Sequence, residues 1–422
     1  MAHVSTADLE LAVPRARARA EAGRWEMRAA ALCFAQFSEP FFGALAQSQG
    51  LTDPPGYARL FFAPVYAFIA WAIWRDRAKA FAAARAAPLL MALLALVFVS
   101  ALWSIDSGGT LRRSVWLALT TAFALYLAWR YDWARLLRVI AGGFAVLIAG
   151  SFLVGGLMPS IGRMATEHPG AWCGLWTHKN TLGGLMAIAA PLCFAASLVN
   201  PNRKQLWRAA TLGALVLVLL STSKTALLAA FIGFAVIAAA HLIRRGPMQA
   251  LVVATSFAAL AILIVSVFLL APQSVVAALG RDLTFTGRTD IWQSLGAYAA
   301  QHPWLGFGYY AFWLDPNGPA YWVRQAVRWD VASAHNGWLE LTLGLGRIGV
   351  ALFVLQFVAA CARAAGVLRD PRAGLWTPAF LIVFGFYSMS ESHILQANDL
   401  FWLIYVAAAA RLALDAREKA CA

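Results

Sequence analysis

The stretch 331-VASAHNGWLELTLGLGRIG-349 is apolar and glycine-punctuated along most of its length, yet it opens on His335 and carries Glu340 and Arg347 further on. Its composition is that of a helix inside a bilayer. Ionisable residues in such a helix are costly, so they mark a functional site by default. Asn336, Glu340 and Arg347 follow at i, i+4 and i+11 on one helical face, with His335 at the start. Gly344, Gly346 and Gly349 open a path for close approach by a second helix. A purely structural pairing of Glu340 with Arg347 stands beside the functional reading.

The rest of the chain makes the membrane reading general. Of 422 residues, 61% are apolar and only 13% charged, and apolar runs near bilayer length recur throughout. These features predict an all-α polytopic membrane protein and exclude an ordinary soluble domain. Twelve spans are expected near 29–47, 56–74, 86–103, 113–129, 136–157, 180–199, 208–222, 225–242, 249–271, 335–361, 375–390 and 398–412, with one long external loop, 272–334, between spans nine and ten. Residues 1–28 hold Arg15, Arg17, Arg19, Arg24 and Arg28 without a signal peptide's apolar core, and so read as a basic cytoplasmic tail. The membrane domain covers 29–412 and a second cytoplasmic tail covers 413–422. The tails and loops on one side of the twelve spans carry 23 of the 34 Lys and Arg, which puts both termini in the cytoplasm. The net charge of +14 is then a topology signal and an attraction to anionic lipid, with no nucleic-acid partner required. The five cysteines are scattered, without a CxxC, and suggest neither a disulfide framework nor a zinc site.

That orientation collects the unusual polar residues on the outer side: Arg112, Arg113, Arg163, His168, His178, Lys179, Asn180, Lys224, Arg288, His302, His335, Asn336, Glu391 and His393. No GxxxxGK[ST] phosphate-cradling loop occurs, and no DxD or HExxH pattern, so the chemistry is expected to need neither ATP, nor a metal, nor a cofactor. Within the long loop, TGRTDIWQSLGAYAAQHPWLGFG (286–308) reads as a short amphipathic helix through Ile291, Trp292, Leu295 and Tyr298, ended by Pro303. Arg288 sits at its N-terminal end. A cation there opposes the helix dipole, but a guanidinium beside a helix N-terminus is a good anion receptor. THKN (177–180) and STSK (221–224) each put a lysine at the outer end of a span, where snorkelling to headgroups and anion binding are the two alternatives. Outward-facing cations with a near-neutral histidine suit a reaction whose leaving group is a phosphate. Where nucleotide sugars are absent, that donor arrives on a lipid.

The ordered series WSIDSGGTLRR (103–113), WCGLWTHKNTLG (172–183), STSKTALLA (221–229), TGRTDIW (286–292), HPWLGFGYYAF (302–312) and AHNGWLELTLGLGRIG (334–349) resembles the O-antigen ligase and polysaccharide polymerase superfamily, and most of all the exopolysaccharide-production polymerases. The resemblance runs from about residue 90 to 400. It implies a helical, GT-C-like, inverting glycosyltransferase of the bacterial inner membrane, facing the periplasm and using a polyprenyl diphosphate-linked glycan as donor. The acceptor is a glycan, lipid A-core or another hydroxyl. By that resemblance His335 is the catalytic histidine, and Arg288 and Lys224 bind the diphosphate; from their positions in the sequence, Lys179 is expected to assist and His178, Asn180, Asn336 and Glu340 to support them. The family commonly has arginine where this chain has Lys224, which exchanges a planar, two-pronged donor for a point charge. The aromatic residues Trp304, Tyr309, Tyr310, Trp313, Tyr321 and Trp322 are placed to stack on sugars or to anchor the interface. A secondary transporter or flippase of lipid-linked glycans is the rival reading. It lacks support from a duplicated half or from ionisable residues at successive depths.

Overall fold

The computed structural model describes residues 23–48, 56–270, 288–315, 317–328 and 331–421, and among them the backbone is helical, with a single antiparallel bridge from Arg163 to Trp172. The chain opens with α1 (23–36) and α2 (Phe42–Ser48). They are separated at Pro40, where Glu39 and Phe41 take φ of 50° and 67°, so the expected first span is broken in two. A 3-10 turn (Gly56–Phe62) leads into α3 (Ala63–Arg75), followed by α4 (Arg77–Ala86) and α5 (Pro88–Val99). Pro88 forces Ala87 out of the helical region and turns the chain by 93° between α4 and the 88–102 segment. The long helices α6 (Ser107–Arg130) and α7 (Trp133–Leu157) start on Asp106 and Asp132, whose carboxylates accept the Gly109 and Arg135 N–H groups. The short α8 (Pro159–Gly162) precedes α9 (Lys179–Val199), α10 (Lys204–Leu220), α11 (Lys224–Ile243) and α12 (Pro247–Leu270).

Residues 271–287, the start of the expected external loop, lie outside the described residues. The remainder of that loop is α13 (Arg288–Ala299), a 3-10 turn (Ala311–Trp313) and α14 (Pro319–Val327). Ile291 and Leu295 of α13 bury against Phe307, Phe312, Trp313 and Val323 in a second apolar core. The bundle closes with α15 (Gly337–Gly366), α16 (Thr377–Ser388) and α17 (Leu400–Cys421). α17 carries on as helix through most of the 413–422 stretch expected to be a tail.

Helices thus occupy all twelve expected ranges. Among the described residues four of them, α7, α9, α11 and α15, are long and apolar enough to cross a membrane alone, or five spans if the bent α4–α5 pair counts as one. α16 shows why the numbers differ: its 12 residues extend about 18 Å at 1.5 Å per residue, short of a bilayer core. α9 and α17 are the inner helices. Every residue from Leu400 to Ala410 is buried, as expected of a helix apolar all round. Tyr405 stacks on Phe384 of α16 with ring centroids 4.8 Å apart. α9 packs against α7, α10 and α11, and α17 against α6. The N-termini of α6, α9, α11, α15 and α17 and the C-terminus of α16 share one end of the bundle. At the other end Glu26 binds Arg75 at 2.8 Å and Arg130 at 2.7 Å.

The opening stretch of sequence folds differently from a straight helix with one polar face. α15 breaks at Gly346 (φ 62°, ψ −162°). The groups that the break frees are taken by 303–308: Phe307 and Gly308 donate to the Leu343 and Gly344 carbonyls at 2.7 and 3.1 Å, and Arg347 and Ile348 donate back to Pro303 and Trp304 at 2.9 and 3.3 Å. The close approach at Gly344 and Gly346 therefore admits a loop rather than a helix. The break also separates Glu340 from Arg347, and the alternative of a structural pair between them does not form. Arg347 lies over the Trp304 ring at 5.4 Å, while Glu340 binds elsewhere. A Cβ at Gly346 would collide with the Trp304 carbonyl in a backbone region essentially closed to other residues. Gly346→Ala is expected to destabilise by about 3 kcal/mol or more. Wild-type thermal resistance in the purified variant would contradict the docked-loop description.

Candidate functional site

A cavity of about 360 Å³ opens at the end of the bundle where α9 and α17 begin. Its walls include His178, Asn180, His335, Tyr387, Glu391 and Asp399. Two inner helices therefore direct their N-terminal, electropositive ends at one space. Each is capped by a residue in its wall: His178 Nδ1 accepts the Asn180 N–H at 3.2 Å, and Asp399 accepts the Trp402 N–H at 2.8 Å.

His335 is held on all sides. Its predecessor Ala334 donates its N–H to Glu340 at 2.6 Å and accepts from the Trp292 indole of α13 at 2.9 Å. Its successor Asn336 caps α15, accepting from Trp338 and Leu339 at 3.0 and 3.1 Å. Between them His335 sits at φ 47°, a left-handed conformation that histidine tolerates better than most side chains but that costs about 1 kcal/mol or more. Glu340 also accepts from the Trp313 indole at 2.8 Å and from Ser392 at 3.4 Å. Asn336 and Glu340 thus act by fixing the backbone around His335.

The imidazole meets Glu391, in the turn between α16 and α17, with Nδ1 3.1 Å from one carboxylate oxygen. The other oxygen accepts from Arg288 Nη2 at 2.9 Å, and Arg288 Nη1 donates to the Ser390 carbonyl. Burial pushes the Glu391 carboxyl up, but the hydrogen bond from His335 and the charges of Arg288, His335 and His393 outweigh it and hold the group at about 2. An ionised carboxylate only accepts, so Nδ1 carries a proton, and in the neutral ring Nε2 is the acceptor nitrogen. Arg288, Glu391 and His335 form one chain of charge-assisted hydrogen bonds. Of the five N–H donors of the guanidinium, two are used here.

The lysines lie apart from this chain. Lys179 Nζ reaches Thr222 Oγ1 at 3.5 Å, and a Cβ on Gly183 would press on Ser221 and Ser223, so THKN and STSK adjoin each other at the starts of α9 and α11. Lys224 is exposed, and neither lysine lines the cavity. His178 Nε2 stands 3.6 Å from Glu167; burial lowers its pKa against the pull of Glu167 and Glu391. Of the aromatic residues, Tyr309 and Trp313 are buried with their polar atoms on Leu395 and Glu340, while Trp304 and Trp322 are exposed.

Three residues of the site have no role in the reading of the sequence. Glu391 is visible there only as one polar residue among many. His393 forms a second imidazole–carboxylate pair with Asp399 at 3.0 Å and stacks on Phe401. Tyr387, 3% exposed, lines the cavity with a buried hydroxyl that finds no hydrogen-bond partner among the described residues. No periodicity or motif distinguishes that tyrosine from its apolar neighbours. Among the described residues no group of three or more His, Cys, Asp and Glu forms a metal-holding cluster.

Comparison with known proteins gives this end of the bundle a context. Residues 209–354, which include Lys224, Arg288 and His335, match a family model described as O-antigen ligase. The chain is also 27% identical over 274 residues to the exopolysaccharide production protein ExoQ of Rhizobium meliloti (strain 1021). That alignment covers 62% of this chain and 61% of the relative. Over these parts of its length the chain is similar to O-antigen ligases and to an exopolysaccharide production protein, and its long apolar helices are those of a multi-pass membrane protein.

Proposed function

We propose that the protein transfers a glycan from a polyprenyl diphosphate to a hydroxyl of an acceptor glycan at the outer face of the bacterial inner membrane, with both termini in the cytoplasm. Polymerisation of lipid-linked units is favoured over ligation to lipid A-core, because the HKN segment and the relative's printed name both point to exopolysaccharide production. The observation that carries the reading is the Arg288–Glu391–His335 chain at a cavity fed by two helix N-termini. An acceptor hydroxyl gives its proton to His335 Nε2 as its oxygen attacks C1 of the donor sugar. The C1–O bond to the diphosphate breaks with inversion, and the anionic diphosphate that leaves is met by the remaining Arg288 N–H groups, with Lys179 and Lys224, outside the cavity wall, receiving its far phosphate. Supplying the purified protein with a polyprenyl diphosphate-linked glycan tests this. The expected products are free polyprenyl diphosphate and a longer glycan; intact donor after prolonged incubation with competent acceptor would contradict it.

The cations separate anion binding from helix anchoring. Arg288→Ala and Lys224→Ala are each expected to lower transfer roughly ten- to a hundredfold, the loss of one charge-assisted contact of about 1.5–3 kcal/mol. Lys224→Arg should keep or raise activity. Arg288→Lys should remain impaired, because one ammonium does not span both Ser390 and Glu391 as the planar guanidinium does. Transfer measured against membrane abundance decides: abundant alanine variants with wild-type turnover would remove the diphosphate assignment.

The orphaned Tyr387 hydroxyl is the natural donor to a substrate oxygen, since a buried hydroxyl without a partner costs about 1–3 kcal/mol. Tyr387→Phe should leave thermal stability unchanged or raised, yet raise the KM for the glycan donor roughly tenfold. A destabilised variant with an unaltered KM would show the hydroxyl to be structural.

A further inference from the structure

A second cavity, of about 470 Å³, lies beside the first at the same end of the bundle. It is lined by Arg112, Arg113, Glu39, Tyr310, Gln396 and Asn398 among others, and Asn398 lines both cavities. The 391–398 turn is the partition. Glu391 and His393 face the first cavity, while Gln396 faces the second.

The second cavity is positively charged and its walls are fixed. Arg113 lies over the Tyr310 ring at 4.2 Å, which orients the guanidinium, and Tyr310 is itself held at φ 61°. Arg112 is exposed, and among the described residues neither arginine forms an ion pair. The one carboxylate in the lining, Glu39, accepts the Asn398 side-chain N–H at 2.9 Å, and Asn398 receives Thr120 at its amide oxygen and gives its backbone N–H to the same hydroxyl at 3.0 Å. Two adjacent helix positions thus present guanidinium groups to one concave space that holds a single, already engaged carboxylate. Arginine pairs so placed, with planar donors and weak hydration, suit phosphate or carboxylate oxygens.

We propose that this cavity is an anion subsite for the acceptor: it takes a phosphate or carboxylate borne by the acceptor glycan or its lipid, and so directs the acceptor hydroxyl past Asn398 toward His335. The proposal rests on the glycan-transfer reading above and adds a second recognition point, on separate residues, to the one at Arg288. Acceptors carrying an anionic group at the matching distance are selected over neutral ones.

The test titrates the purified full chain in zwitterionic nanodiscs with farnesyl diphosphate and, separately, with digalacturonate. Wild type is compared with Arg112→Gln, Arg112→Gln/Arg113→Gln and Arg288→Gln. The double variant is expected to lose roughly tenfold or more in affinity for one probe. Loss confined to farnesyl diphosphate assigns a lipid diphosphate to the cavity, and loss confined to digalacturonate assigns a sugar carboxylate. Unchanged binding of both probes overturns the proposal. Arg112 is exposed, so the single variant keeps the test available if the double variant folds poorly, and it should show a weaker loss in the same direction. Absence of glycan transfer by wild type would defeat the transfer reading alone, whereas a binding loss in the arginine variants would still establish the anion subsite.

Discussion

His335→Ala is expected to insert and fold, with glycan transfer lowered by about 10²–10⁴-fold, the range for removing a positioned general base. The expectation of normal folding comes from the local structure. The polar anchors of this segment are Ala334, Glu340, Trp292 and Asn336, none of which needs the imidazole. Removing the imidazole also takes away the hydrogen bond that holds the Glu391 carboxylate, so a loss of thermal resistance of about 1–3 kcal/mol accompanies the change. Donor affinity should be nearly unaltered, because the diphosphate contacts proposed above lie on other residues. Near-normal turnover in a well-expressed variant would remove His335 from the chemistry.

Glu391→Gln is expected to give the second large effect, a loss on the order of 10²–10³-fold in transfer with the fold retained. Glutamine keeps one oxygen for His335 Nδ1 or for Arg288 but not a charged pair of oxygens for both, so the imidazole loses its fixed tautomer and orientation. The same residue leaves a mark on stability. Its carboxyl is held at about 2 against an ordinary value of 4.5, so its ionised form stabilises the fold fully above 4.5, and that contribution drains away as pH falls toward 2. The amount is on the order of 3 kcal/mol. Thermal midpoints of wild type should therefore fall more steeply than those of Glu391→Gln over that interval. Parallel curves would mean that the buried carboxylate is not held by its two partners.

The helices were legible because apolar runs, charged flanks and capping aspartates are local signals, and each of the twelve expected ranges contains helix. Two things escaped. The first is the break at Gly346. Its cause is a backbone exchange with 303–308, more than thirty residues earlier, and glycine spacing alone does not distinguish a docked loop from a packed helix. The second is the assembly of the site. His335 and Arg288 are recognisable from their segments, but Glu391 joins them across 56 and 103 positions of chain, and no periodicity encodes that meeting. Tyr387 is harder still, since its only distinguishing feature is a hydroxyl left without a partner. Conversely, Asn336 and Glu340 stood out in sequence as polar residues at the head of an apolar helix, and their work is to hold the backbone on either side of His335.

The most direct test of the claim that Arg288, Glu391 and His335 act as one unit is a double-mutant cycle on kcat/KM for glycan transfer, comparing wild type, Arg288→Gln, Glu391→Gln and the double variant in matched nanodiscs. If the three residues act as one unit, the double variant will be less impaired than the product of the two single losses, leaving a measurable coupling energy, while the diphosphate contact of Arg288 adds a residual loss beyond Glu391→Gln alone. If the two losses instead multiply, the residues act independently and the hydrogen-bonded chain is not the catalytic device described here.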